Sequence, residues 1–157
     1  MKKRIVLRCD ANDLFDAFLQ SFVDGYEKVK GVKPTEEQMA HGCAYQAVVP
    51  TKKDNKIFAQ VKALKYVRPT EFKMDYKSKT YHKIDYCHIT DLNNGKVELL
   101  FETYIEQYDA AGNVARTQGS YDSENIAPCG LLESINYRRL ASQLRARRRA
   151  ANTNYEE

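Results

Sequence analysis

Residues 81–108, YHKIDYCHITDLNNGKVELLFETYIEQY, form the clearest β-hairpin pattern in the chain and decide what kind of interior the protein has. At the centre lies Asn94-Gly95, a pair typical of a type I′ turn, because both central residues of that turn need a positive φ angle. Two runs that mix apolar and polar side chains flank this pair. The sequence therefore predicts two antiparallel strands joined by a two-residue loop.

The register of this hairpin determines which side chains face the core. A three-residue loop would place Asp85 opposite Thr103 and mix charged with apolar side chains on each face, so we expect the two-residue loop. That register gathers most of the apolar side chains on one face. The predicted core face consists of Ile84, Tyr86, His88, Thr90 and Leu92, opposite Val97, Leu99, Phe101, Thr103 and Ile105.

The composition is that of one globular domain spanning residues 1–157, since 43% of the residues are hydrophobic. Six arginines and two glutamates lie from Arg138 onward and account for the whole net charge of +4, so residues 1–137 are neutral. The basic character therefore belongs to the end of the last helix and to a tail from about residue 145. These arginines are Arg138, Arg139, Arg145, Arg147, Arg148 and Arg149.

The four cysteines show no CxxC spacing, and no motif for a metal ion or a cofactor is present. The N-terminal MKKR is followed by only three apolar residues, too few for a secretory signal. No apolar run approaches the length of a membrane span. We therefore expect a reduced, cytoplasmic protein that needs no cofactor.

The remaining elements follow from caps and periodicity. A short strand at residues 4–9 precedes a helix that Asp10 caps and Asp24-Gly25 ends, and Thr35 with Gln38 forms a capping box for a second, short helix. Six further antiparallel strands and a long helix from Leu131 to about residue 151 complete the chain. The apolar residues of the first helix recur every three or four positions: Leu14, Phe15, Phe18, Leu19 and Phe22.

Two features near the C-terminus predict a cavity. Residues 109–113 suit a turn with Gly112 in the left-handed conformation, and the strand after it would present mostly small residues to the interior. The long helix carries two separate apolar groups, of which Leu132 and Ile135 are expected to face the sheet. The small inward row is Ala115, Thr117, Gly119 and Tyr121, and the second helix group, available for a homodimer, is Tyr137, Leu140 and Leu144.

This order of elements resembles the helix-grip fold of the START-like superfamily, an α+β fold in which a curved antiparallel sheet of about seven strands wraps around a long C-terminal helix. The resemblance rests on RIVLRCDANDLFDAFLQSF (4–22), on the series of hairpins and on the closing helix. The stretches GCAYQAVVP (42–50), ALKYVRPTEFKMDYKS (63–78), HKIDYCHITDLNNGKVELLFETY (82–104) and YRRLASQLRARRRA (137–150) also look like a small uncharacterised bacterial family of that superfamily.

The resemblance implies an apolar or amphipathic small molecule held between the sheet and the long helix. Some members of the superfamily are cyclases, hydrolases or chaperone activators, but no motif in this chain carries those activities. We therefore expect binding without catalysis. The residues expected to line the site are Tyr76, His82, Tyr86, His88, Phe101, Thr103, Thr117, Tyr121, Leu132 and Ile135.

Two alternatives remain open at this point. A buried His88 could move a proton in a cyclase-like or hydrolase-like enzyme, although the predicted register supplies no carboxylate beside it. The basic C-terminal helix could instead contact a protein or a polyanion. Its arginines surround the whole helix rather than one face, which argues against nucleic-acid binding.

Overall fold

The computed structural model describes residues 1–50, 56–120 and 123–155. These residues form an α+β fold in which helices cover one face of a curved, unclosed mixed sheet. The elements are β1 (Lys2–Arg8), α1 (Ala11–Lys30), α2 (Glu36–Ala40), β2 (Ala44–Pro50), β3 (Lys56–Val67), β4 (Glu71–Lys77), β5 (Tyr81–Asp91), β6 (Lys96–Tyr108), β7 (Val114–Gly119), β8 (Ile126–Pro128) and α3 (Leu131–Thr153).

The sheet is organised around the long strand β6. Its order is β2-β3-β4-β5-β6-β1-β8, and β7 also pairs with β6. The first half of β6 pairs with β1 and the second half with β7, so two short strands share one edge of a long one. The sequence predicts about seven antiparallel strands, whereas β8 is an additional strand that runs parallel to β1. Pro128 ends β8, and the last helix begins three residues later at Leu131.

The predicted register of the β5–β6 hairpin is wrong. The structure pairs Asp85 with Thr103 and Asp91 with Val97, and the Leu92 N–H donates to the Lys96 carbonyl, so the loop has three residues. The positive φ angles in that loop belong to Asn93 (φ 62°) and Gly95 (φ 74°), whereas the sequence predicted them at Asn94 and Gly95. A shift of one residue turns every β5 side chain to the other face relative to β6. The odd-numbered residues of both strands therefore face the helices, and the even-numbered residues face away from them.

Helix α1 is the main cover of the inner face, by which we mean the sheet face that carries α1 and α3. Asp10 caps the start of α1 as predicted, because its side chain accepts a hydrogen bond from the Asp13 N–H. Against the sheet, α1 buries one continuous apolar stripe. The core that forms there includes Leu14, Phe15, Leu19, Phe22 and Tyr26 from the helix and Val61, Phe72, Cys87, Ile89, Val97 and Leu99 from the strands.

The helix does not end at Gly25, as the sequence predicted, but continues to Lys30 and is capped by Gly31. Gly25 has a different role, because a Cβ atom there would lie 2.1 Å from the hydroxyl oxygen of the buried Tyr45. The ring of Tyr45 also makes an edge contact with Phe22 at a centroid distance of 5.3 Å. Gly25 therefore allows α1 to approach β2 closely.

Helix α3 uses the opposite set of apolar residues from the one predicted. Leu132 and Ile135 are 77% and 45% exposed, whereas Leu144 and Ala141 are buried against the core. Tyr137 packs on the ring of Phe101 at a centroid distance of 4.9 Å. The predicted homodimer surface of Tyr137, Leu140 and Leu144 is therefore occupied by contacts within the chain.

Other local predictions had mixed outcomes. The capping box of Thr35 and Gln38 is present, and the Gly112 turn joins Asp109 to Asn113 as expected. The register of β7 shifts beyond that turn, so that Thr117 lies opposite Glu106 on the outer face rather than in the interior. Tyr121 lies outside the described residues.

Candidate binding cleft

A cleft of about 290 Å³ lies between α1, the inner face of the sheet and α3. Most of its wall is apolar, and every lining element except α3 comes from the first 108 residues. Helix α1 contributes the small side chains of Ala17 and Ser21, together with Phe18, to this wall. The lining residues are Ala17, Phe18, Ser21, Phe72, Met74, Asp85, Tyr86, Cys87, Phe101, Glu102, Thr103 and Tyr137.

One end of the cleft is polar. The Thr103 hydroxyl donates a hydrogen bond of 2.7 Å to one oxygen of Asp85, and Lys83 Nζ lies 2.7 Å from the other oxygen. Asp85 and Lys83 are half-buried, so water still reaches this end. A carboxylate with two donors of its own remains an acceptor for a third, because it has about four lone-pair directions.

The apolar end contains Tyr137 and Cys87. Burial raises the pKa of the Cys87 thiol to about 12, so it is a neutral packing group at physiological pH. Burial also raises the pKa of Tyr137, and its hydroxyl has no hydrogen-bond partner among the described residues. Tyr137 therefore brings a neutral donor to the same space that the Asp85 carboxylate borders.

Only part of the predicted site is brought together. Of the predicted residues, Phe101, Thr103 and Tyr86 border the cleft, although the Tyr86 hydroxyl extends to Glu71 on the outer face. Tyr76 lies on the inner face and packs against the core, but it does not line the cleft. Its ring centroid is 5.8 Å from that of Tyr81. The exposed Leu132 and Ile135 of α3 do not line it.

The even-numbered residues of β5 lie on the outer face. His82 Nε2 is 2.5 Å from an Asp75 oxygen, and the Tyr86 hydroxyl donates to Glu71 at 2.8 Å. His88 is half-buried, and its Nδ1 atom has no hydrogen-bond partner among the residues described. The histidine on which the enzyme alternative depended is therefore on the face opposite to the cleft.

Glu71 on the outer face makes the folding of this chain sensitive to acid. Burial alone would raise the pKa of its carboxyl, but hydrogen bonds from Lys65 and Tyr86 outweigh burial and hold that pKa below its usual value. A depressed pKa adds stability above the unfolded-state value of about 4.3, and that stability is lost as the pH falls through the folded-state value.

The variant Glu71→Gln is expected to be less stable than the natural chain by about 1 kcal/mol at pH 7, since it loses a charge-assisted hydrogen bond and an ion pair. The difference should shrink as the pH is lowered from 7 to about 3, because protonation of Glu71 gives both chains a neutral group at this position. Urea unfolding of both chains at pH 7 and at about pH 3 measures this difference in stability. Glu27→Gln, at an exposed position of α1, should show no such change, and a Glu71→Gln deficit that persists undiminished at low pH would contradict the assignment.

The model of one protein family, described as a domain of unknown function (DUF3284), matches residues 1–118. The chain belongs to this family. No curated protein matches it. The matched part of the DUF3284 chain runs from β1 almost to the end of β7 and so includes Phe18, Asp85 and Phe101. Tyr137 and the rest of α3 lie beyond it.

In the DUF3284 chain, two of the six C-terminal arginines make contacts within the fold. Arg148 contacts Asp10 and Asp13 at 3.0 and 2.8 Å, and Arg145 donates to the Arg8 carbonyl oxygen. These contacts hold the end of α3 against the start of α1. They reduce the positive charge that the helix offers to a polyanion.

Neither the cysteines nor the acidic residues suggest metal or thiol chemistry. Within residues 1–50, 56–120 and 123–155, no group of three or more His, Cys, Asp or Glu side chains is placed to hold a metal ion. Burial raises the pKa of Cys129, so the start of α3 does not activate its thiol. No helix in the described part of the chain is both long and apolar enough to cross a membrane.

Sequence reasoning missed Phe18, Asp85, Cys87 and Tyr137 as cleft residues. Phe18 was recognised as apolar, but it was assigned to the closed core of α1. Asp85 was assigned to the outer face because it is charged. The available signal was the spacing of Tyr137, Leu140, Ala141 and Leu144, which recur every three or four positions and so form a longer stripe on one side of the helix than Leu132 and Ile135 do.

Proposed function

We propose that this chain binds a small amphipathic molecule in the cleft without transforming it, as a cytoplasmic domain of the helix-grip, START-like kind. The observation that carries the proposal is the cleft itself, with apolar walls and one polar end. Its volume of about 290 Å³ is at the lower limit of the range typical of ligand sites, which favours a small ligand over a long lipid.

The chemistry of the lining supports binding rather than catalysis. Asp85 is already paired with Lys83 and Thr103, and the Cys87 thiol is neutral at physiological pH. No histidine is among the described residues that line the cleft. A ligand would therefore be held by apolar contacts and oriented by hydrogen bonds to Asp85 and Tyr137.

The arrangement of layers supports the START-like assignment. An N-terminal strand is followed by two helices, a series of antiparallel hairpins and a C-terminal helix, and both long helices lie on the same face of a curved sheet. The departure from the expected arrangement is that α1 rather than α3 fills most of the inner face.

A variant that fills the cleft tests the proposal. Ser21 is exposed and borders the cleft, so Ser21→Trp should occupy the space without removing a core residue. We expect the natural chain, purified from cells, to carry a bound small molecule in native mass spectrometry, or to gain melting temperature from at least one member of a panel of phenols, aromatic amines and short fatty acids. Ser21→Trp should weaken that binding at least about tenfold, as expected when an apolar pocket is blocked.

Glu27→Trp is the matched control, because it adds the same ring to the same helix at an exposed position away from the cleft. It should bind as the natural chain does. Asp85→Asn should weaken binding of the amines and phenols more than that of the fatty acids, because it removes the charged acceptor. If no molecule co-purifies and no panel member binds, or if Ser21→Trp binds as tightly as Glu27→Trp, the proposal is wrong.

A further inference from the structure

Strand β2 is the outermost strand at one end of the sheet, and its outer edge is free of backbone partners among the described residues. Natural sheets protect such edges with charged residues, prolines or very short strands. The other free edges follow this rule, since β8 has only three residues and β7 contains Arg116. Strand β2 has seven residues, AYQAVVP, none of them charged.

The pairing of β2 with β3 defines which backbone groups point outward. Cys43 lies opposite Ala63, and the Ala63 N–H donates to the Cys43 carbonyl at 3.0 Å. In an antiparallel pair, hydrogen-bonded and non-hydrogen-bonded residues alternate. The odd-numbered residues of β2 therefore bond to β3. The N–H and C=O groups of Ala44, Gln46 and Val48 point towards the open edge.

The side chains next to this edge also lack cover. Val48 and Phe58 lie opposite each other on β2 and β3, and they are 50% and 55% exposed. Gln46 and its neighbour Gln60 on β3 are exposed on the same face. An apolar pair beside an uncharged edge is the combination that favours pairing with another strand.

We propose that β2 pairs with β2 of a second copy of this chain, in an antiparallel dimer whose two-fold axis passes beside Gln46. In this register Gln46 lies opposite Gln46 of the other copy, and Ala44 lies opposite Val48. The outward groups of these residues then form hydrogen-bonded pairs that each exchange two bonds. Pro50, which has no N–H, lies beyond the pairs. The two sheets become one continuous sheet.

Self-pairing fits this edge because a two-fold interface places each residue opposite a residue of the same strand. A charged strand would oppose like charges, but Ala44–Pro50 contains none. The Ala44–Val48 pair would also extend the exposed apolar surface of Val48 and Phe58 across the axis. The proposal is independent of the ligand in the cleft, since no β2 residue lines that cleft.

The experiment compares charge variants at the axis with a matched variant one strand away. Sedimentation velocity of the full chain over a range of concentrations should show a monomer–dimer equilibrium. Gln46→Lys and Gln46→Glu should each raise the dimer dissociation constant by about two- to fivefold, because two like charges then lie directly opposite. An equimolar mixture of the two variants should form a heterodimer at least as tight as the natural dimer.

Gln60→Lys is the control, because it places the same charge on the same face beside Gln46 but away from the axis. It should leave the dissociation constant within about twofold of the natural value. Far-ultraviolet circular dichroism checks that each variant is folded. If the natural chain stays monomeric at all concentrations, the proposal is overturned. An extended peptide would then be the partner to test at this edge. The proposal is also overturned if Gln60→Lys dissociates the dimer as well as Gln46→Lys does, or if the mixed variants do not associate.

Discussion

Replacing Phe15 with alanine is expected to lower the free energy of unfolding by about 3–5 kcal/mol, a large part of the stability of a domain of this size. The Phe15 side chain is completely buried between α1 and the sheet. Its ring makes edge contacts with Tyr66 and Phe72 at centroid distances of 5.4 and 6.4 Å, and the Arg68 guanidinium lies 4.9 Å above it. Truncation leaves a cavity that these rigid neighbours cannot fill.

Two further truncations, one in α1 and one in α3, test whether the large loss of stability is specific to the closed core around Phe15. Phe18→Ala should cost only about 1–2 kcal/mol, because Phe18 is half-buried and one side of its ring already borders the cleft. Ile135→Ala on α3 should change stability by less than about 0.5 kcal/mol, since that side chain is 45% exposed. Urea unfolding of the three variants gives the comparison. A loss at Ile135 as large as that at Phe15 would mean that α3, not α1, is the principal cover of the sheet.

Local signals in the sequence predicted local structure well. The cap at Asp10, the capping box at Thr35 and the Gly112 turn all form, because each depends on residues within five positions of one another. The inward residues of β6 were also correct, including Phe101 and Thr103. The alternation along β6 is strong enough to orient that strand without its neighbour.

The register of β5 could not be predicted by the same reasoning. The prediction assumed that charged residues mark the solvent face, and it therefore placed Asp85 outside. Along β5 the inner face is a closed core at Cys87 and Ile89, and towards Lys83 and Asp85 it opens into the cleft, where both side chains are partly exposed to solvent. The loop contains Asn93 as well as Asn94 and Gly95, and this one extra loop residue shifts the register by one and turns the β5 side chains to the other face.

The candidate site was therefore only half predictable. Its β6 wall follows from alternation, but its β5 wall depends on the register and its α3 wall on which half of the helix docks. Docking is decided by tertiary contacts, such as Tyr137 against Phe101 and Arg148 against Asp13. These partners are separated by more than thirty residues, and no local pattern links them.

The second large effect is expected at Gly119, where alanine should lower the free energy of unfolding by about 3 kcal/mol. Gly119 has a φ angle of +76°, which costs an L-residue about 1–2 kcal/mol. A Cβ atom there would also lie 2.0 Å from the Thr103 carbonyl oxygen, a backbone atom held in β6. To relieve this contact, β7 must move away from β6. Loss of protection of the β7 amides in hydrogen exchange should accompany the loss of stability.

Gly112→Ala separates the two contributions to this effect. Gly112 has a similar φ angle of +85°, but apart from its chain neighbours no described residue has an atom within 4 Å of the position its Cβ would take. Its replacement should therefore cost only about 1 kcal/mol, the conformational part alone. The excess at Gly119 measures the contact with Thr103. Equal losses at the two glycines would contradict the close approach of β7 to the Thr103 carbonyl.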